Sequence, residues 1–147
     1  MSEARNTQLV KDAYAAFLRG DIAAILAVVD EAVQWQGVIG TEGVLPQAGL
    51  RQGRGAVGEF FSQVDATVAF DEFAPSEFIA QGDQVAVVGS YRGRVKPTGQ
   101  RFDSAWAMVF TIRDGRITRF REFTDSAQLV RAYTTRPEHA SEVPMAL

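Results

Sequence analysis

The chain has 147 residues, 46% hydrophobic and 22% charged, which suits one globular domain with a core of its own and excludes a disordered or fibrous class. It has no cysteine, which excludes disulfides and thiolate metal sites, and its one histidine, His139, stands in a tail with Pro137 and Pro144, which excludes a histidine metal cluster. A net charge of −3 argues against a nucleic-acid partner; no apolar run reaches membrane-spanning length and the N-terminus lacks the basic and apolar regions of a signal peptide, so the expectation is a cytoplasmic protein with no membrane partner.

Leu9, Val10, Ala13, Phe17 and Leu18 recur at helical spacing, with Gly20 as the stop and Asp21 as the next N-cap. A shorter helix follows, with Ile22, Ile25, Leu26 and Val29 on one face. Residues 32–36 have strand character, Val33 and Trp35 sharing a face. Residues 37–53 read as a loop, because Gly37, Gly40, Gly43, Pro46, Gly49 and Gly53 interrupt any period; it is either a plain connector or a lid. A third helix starts near Gly53, with Val57, Phe60, Phe61 and Val64 inward.

The period then changes. Strands are expected over 68–80, 84–95, 101–113 and 116–123, broken at Gln81-Gly82-Asp83, at Lys96-Pro97-Thr98-Gly99 and at Asp114-Gly115, the last a hairpin signal. A closing helix runs over 125–133, where Asp125 and Gln128 have capping-box spacing. The tail 135–147 is expected to be loosely held. Helices beside a mostly antiparallel sheet make an α+β architecture, read as one domain over 1–134.

Alternation assigns the faces. Over 101–113, Phe102, Ser104, Trp106, Met108 and Phe110 face the helices, while Arg101, Asp103, Ala105, Ala107 and Val109 face out and form a strip suited to a homodimer interface. Over 84–95, Val85, Val87, Gly89 and Tyr91 point inward; Gly89 marks close approach by a ligand or a backbone, or a bend. Over 116–123, Phe120 and Glu122 share a parity, and Arg119 and Arg121 take the other and should be wet. Glu122 is then either an acid in an apolar cavity, with its pKa raised by desolvation, or a partner to an arginine at the sheet rim.

The stretch Tyr14-Ala15-Ala16-Phe17 leading to Gly20-Asp21 carries a resemblance, as do Leu45-Pro46 to Gly49, Gly53-Arg54 before Phe60-Phe61, and Asp114-Gly115-Arg116-Ile117 to Phe123 and Asp125. Over about residues 5–134 the chain resembles the SnoaL-like branch of the NTF2-like (ketosteroid isomerase-like) superfamily. The resemblance implies a cone-shaped, strongly curved sheet wrapped by helices around a central apolar pocket, which in relatives holds polyketides, steroids, terpenes or nothing identified. Ketosteroid isomerases carry an aspartate where this chain has Gln36, and an enolate-stabilising tyrosine near Tyr14. Limonene epoxide hydrolases carry an Arg and an Asp where this chain has Gly89 and Tyr91. SnoaL-type cyclases carry a histidine where this chain has Met108. The acid position of the last strand is filled, by Glu122.

The expected ligand is a small hydrophobic molecule. In one reading Glu122 is a catalytic general acid/base of isomerase, cyclase or hydrolase type, with Tyr91 or Ser104 as hydrogen-bond donor and Trp35 and Trp106 as walls. Tyr14, Phe17, Phe60, Gly89, Met108 and Phe120 complete the expected lining. In the other the chain is a non-catalytic ligand-binding or accessory homodimer. No cofactor is signalled, since no glycine-rich phosphate loop follows a strand and no metal-ligand cluster is present.

Overall fold

The computed structural model describes residues 2–135. His139 and, apart from Thr135, the expected tail lie outside them. Helix α1 (Glu3–Leu18) starts on Ser2, whose hydroxyl accepts from the Arg5 N–H, and gives way to Gly20 at a φ of 76°. Val10, Tyr14 and Ala16 are buried on it, but Leu18, expected on the same face, is 59% exposed because the last turn borders an open groove rather than the core. Asp21 caps α2 (Ile22–Ala27) by accepting from the Ala24 N–H at 3.1 Å.

Strand β1 (Val29–Gly37) begins earlier than alternation suggested. Its register against the last strand slips between Val29 and Gln34, and this irregularity hides its first residues from a period of two. The segment 37–53 is not wholly irregular, as was expected: β2 (Gly49–Gln52) pairs antiparallel with β1, Leu50 opposite Gln36. A four-residue edge strand with no buried residue carries no alternation to read. Helix α3 (Arg54–Thr67) follows Gly53, and then come β3 (Val68–Gln81), β4 (Gln84–Val95), β5 (Arg101–Arg113), β6 (Arg116–Thr124) and α4 (Ser126–Thr134). The β5–β6 turn has φ of 51° at Asp114 and 73° at Gly115, both positive as a primed hairpin turn requires.

The six strands form one curved, unclosed sheet in the order β2-β1-β6-β5-β4-β3, with four helices. Only β1 and β6 run parallel. The curvature has identifiable causes in β3 and β4. Register shifts fall between Phe70 and Glu72 and between Pro75 and Glu77, and Pro75, which lacks an N–H, is tolerated on this edge strand. Opposite them, a Cβ on Gly89 would lie 2.5 Å from the Ala74 carbonyl oxygen and 2.5 Å from the Trp106 indole, and a Cβ on Gly93 would collide with the Ala69 carbonyl. Gly89 thus marks a bend where strand and indole crowd together.

The inward assignments for β4 and β5 hold: Val85, Val87, Gly89 and Tyr91, and Phe102, Ser104, Trp106, Met108 and Phe110, are buried, while of the outward set Arg101, Asp103 and Ala105 are exposed and Ala107 and Val109 are half-buried. On β6, Arg119 is exposed, but Arg121 is only half so. Its Nε is buried without a partner among the described residues and its guanidinium lies 5.9 Å from the Phe123 ring centroid, so the outward apolar residues shield a side chain expected to be wet. The capping box at α4 is half made. Asp125 accepts from the Gln128 N–H at 3.4 Å, but the Gln128 side chain accepts from the Asp103 N–H, which ties the helix to β5. Among the described residues no helix is long and apolar enough to cross a membrane.

Candidate functional site

The parallel pairing of β1 with β6 decides where the site forms. Trp35 lies opposite Phe120 and Gln36 opposite Arg121, so the chain leaving β1 meets Glu122. The Ile39 N–H donates to the Glu122 carbonyl at 3.0 Å. Between them Val38 adopts a φ of 32°, costly for a β-branched residue, and it makes a main-chain hydrogen bond to the Glu122 carboxyl.

The concave face of the sheet, α1, α3, α4 and the 38–48 loop enclose a cavity of about 90 Å³ for water-sized occupants. At roughly 10–15 Å³ each it holds about six to nine waters. Its walls are mostly aromatic: Trp35 stacks on Phe120 at 4.1 Å, and Phe60 meets Trp35 edge-on at 5.6 Å. Phe17, Phe61, Phe70 and Phe73 line both this cavity and an open groove between α1, α3 and β3.

Among the described residues Glu122 is the one carboxylate in the cavity wall, and it is 5% exposed. Burial among apolar groups pushes its pKa up to about 7, although the hydrogen bonds from Tyr91 and Val38 pull the other way. The Tyr91 hydroxyl donates to Glu122 Oε2 at 3.0 Å. The Tyr91 phenol is itself held well above its usual range, first by burial and then by the nearby Glu122 charge, so it stays a donor. The Tyr14 hydroxyl, raised by the same two causes, donates to the Met108 sulfur at 3.1 Å, a weak acceptor that an incoming oxygen can replace. The rim-arginine alternative for Glu122 is not what forms: no ion pair involves it among the described residues.

Of the residues expected to line the pocket, Tyr14, Phe17, Trp35, Phe60, Tyr91, Met108 and Phe120 do so. Gly89, Ser104 and Trp106 do not. Gly89 faces Trp106 and the β3 backbone. The Ser104 hydroxyl bonds Ala105 O at 2.8 Å and Thr124 Oγ1 at 3.0 Å and accepts from the Asp125 N–H, so it braces the start of α4. Trp106 forms a layer behind the wall, with its ring centroid 5.9 Å from Tyr14, 5.4 Å from Phe73 and 6.1 Å from Tyr91. Parity selected the right face in all three, but the curvature of the sheet carries their side chains behind the first wall.

Sequence reading missed Val38, Gln47, Phe70, Phe73 and Tyr133. Tyr133 lies four residues beyond buried Leu129 on α4, a spacing that signals a shared face. Phe70 and Phe73 differ in parity, and only the intervening bulge turns both inward. Gln47, in the glycine-rich loop, has no periodic signal. It donates from Nε2 to the Tyr133 hydroxyl at 2.7 Å, and Thr67 Oγ1 lies 2.9 Å from that hydroxyl. Burial is the main cause of the raised Tyr133 pKa.

Residues 10–120 match the family model of the SnoaL-like domain. A comparison with curated proteins gave no match. Among solved structures, the chain is 37% identical to an NTF2-like protein of Burkholderia xenovorans LB400, covering 91% of this chain and 99% of that one at a TM-score of 0.82. It is 28% identical to an NTF2-like protein of Burkholderia pseudomallei K96243, over 92% and 100% of the two chains, with a TM-score of 0.81. It is 27% identical to TerC, a structure co-crystallised with polyporic acid, over 89% and 99% and with a TM-score of 0.78. With a family match over most of its length and a relative of this closeness, the chain belongs to the SnoaL-like branch of the NTF2-like superfamily.

Proposed function

We propose that the protein binds a small hydrophobic metabolite in the aromatic cavity and moves a proton on it without a cofactor, with Glu122 as general acid/base. One observation carries the reading: a buried carboxyl with a pKa of about 7 stands in an apolar wall, held by a tyrosine that remains protonated. At neutral pH such a group is populated in both forms, the condition under which it can take a proton and return it. Tyr14 supplies a hydroxyl that can turn from Met108 to a developing oxyanion. TerC, 27% identical, was co-crystallised with polyporic acid, which supports a small-molecule ligand.

A minimal test uses cyclohex-3-enone, whose seven heavy atoms suit the cavity. The Glu122 carboxylate would remove a C2 proton, Tyr14 would hold the enolate oxygen, and the carboxyl would return the proton to C4 to give cyclohex-2-enone. The expected result is isomerisation above the buffer rate that disappears in Glu122→Gln. Binding without turnover in the wild type would overturn the catalytic reading. It would favour the second one, a ligand-binding or accessory homodimer joined through the outer face of the sheet, which is motivated by Ala105, Ala107, Val109 and the 40% exposed Phe123.

A further inference from the structure

The cavity wall contains a second polar feature, independent of Glu122. Gln47 is buried, and its Oε1 is covered and has no hydrogen-bond partner among the described residues. A chain of donors orients this amide. Thr67 Oγ1 donates to the Gln63 carbonyl at 2.7 Å, which spends the one hydroxyl proton of Thr67. The Tyr133 hydroxyl, 2.9 Å from Thr67 Oγ1, must therefore be the donor of that pair. Its oxygen accepts from Gln47 Nε2 at 2.7 Å. The order Gln47, Tyr133, Thr67, Gln63 thus runs in one direction, and it leaves the Gln47 carbonyl as the free end. Burying an amide oxygen without a partner is unfavourable, and a fully apolar side chain at this position would avoid the penalty.

We propose that Gln47 Oε1 is a ligand subsite: it accepts a hydrogen bond from a hydroxyl or N–H group on an otherwise apolar ring compound held in the cavity. The subsite selects for a donor. An ether or a hydrocarbon of the same shape leaves the oxygen unpaired, and a carboxylate ligand meets an acceptor where it needs a donor. Trp35, in the same wall, has a buried Nε1–H without a partner among the described residues, a donor for which a ligand acceptor would be the complement. A phenol or enol can both donate and accept, the two roles that these groups leave open. The 38–48 loop that carries Gln47 is pinned to α4 through Tyr133, so the amide is already oriented, and a ligand reaches Oε1 by displacing the groups that cover it.

The inference rests on the reading of the cavity as a ligand site, and the test separates the two. p-Cresol, 4-methylanisole and p-xylene are titrated into the protein and followed by NMR. The expected result is p-cresol bound about five- to tenfold more tightly than the other two. The Gln47 side-chain amide resonances should shift with p-cresol alone, a readout that requires no variant. Gln47→Met should abolish the preference while binding of p-xylene persists, and Glu122→Gln should retain it, which excludes the carboxyl as the selecting group. Equal binding of all three compounds, or a preference lost in Glu122→Gln and kept in Gln47→Met, would overturn the assignment of Gln47 and leave the cavity reading standing. Failure of every probe to bind would overturn both.

Discussion

Replacing Glu122 by Gln should change how stability depends on pH. The folded protein holds the Glu122 proton with a pKa of about 7, against the ordinary value of 4.5. A raised folded pKa means that the stabilisation is fully present below about pH 4.5 and is lost as the pH rises through 7. At about 1.4 kcal/mol per tenfold in binding, the difference corresponds to about 3 kcal/mol. The titratable groups nearest to Glu122, Tyr14, Tyr91 and Tyr133, are all pushed above their usual range and stay neutral throughout. Gln keeps the shape but has no proton to lose. Urea unfolding of both proteins at pH 4.5, 6, 7 and 8 isolates the effect, because groups common to both cancel in the difference. The wild type should lose about 3 kcal/mol relative to the variant across that range. A difference constant to within about 0.5 kcal/mol would refute the reasoning, since it would mean that Glu122 is as well solvated folded as unfolded.

Tyr91→Phe should raise the Glu122 pKa above about 7, because the hydroxyl hydrogen bond lowers it; carboxyl-carbon NMR would show this, and an unchanged or lower value would refute it. Trp106→Ala should cost about 3–5 kcal/mol in urea unfolding, because the 3% exposed indole packs behind Tyr14, Phe73 and Tyr91. A cost below about 1 kcal/mol would contradict that burial. If the outer strip joins two copies, sedimentation should give a dimer at micromolar concentration that Ala107→Arg dissociates, and a clean wild-type monomer would sink the interface.

The sequence by itself determined the features that depend on neighbours along the chain. Alternation across β5 assigned Trp106 and Met108 to one face and Asp103 and Ala105 to the other, because successive side chains on a strand must alternate. Asp21 and Asp125 marked helix starts because a short side-chain oxygen satisfies free N–H groups locally. Asp114-Gly115 marked its turn because both residues tolerate positive φ. The inward parity of Glu122 followed from the same alternation. Tertiary structure alone decided the rest. The parallel pairing of β1 with β6 carries Val38 to Glu122 from far away in sequence, and no local pattern encodes that meeting. Bulges in β3 bring Phe70 and Phe73 to one wall against their parity, and the resulting bend puts Trp106 and Ser104 behind the cavity. Gln47 became a wall residue only because Tyr133 and Thr67, on other elements, hold its amide in place. Periodicity reports which way a side chain points from its own strand or helix; what it faces depends on how the sheet curves and which strands pair.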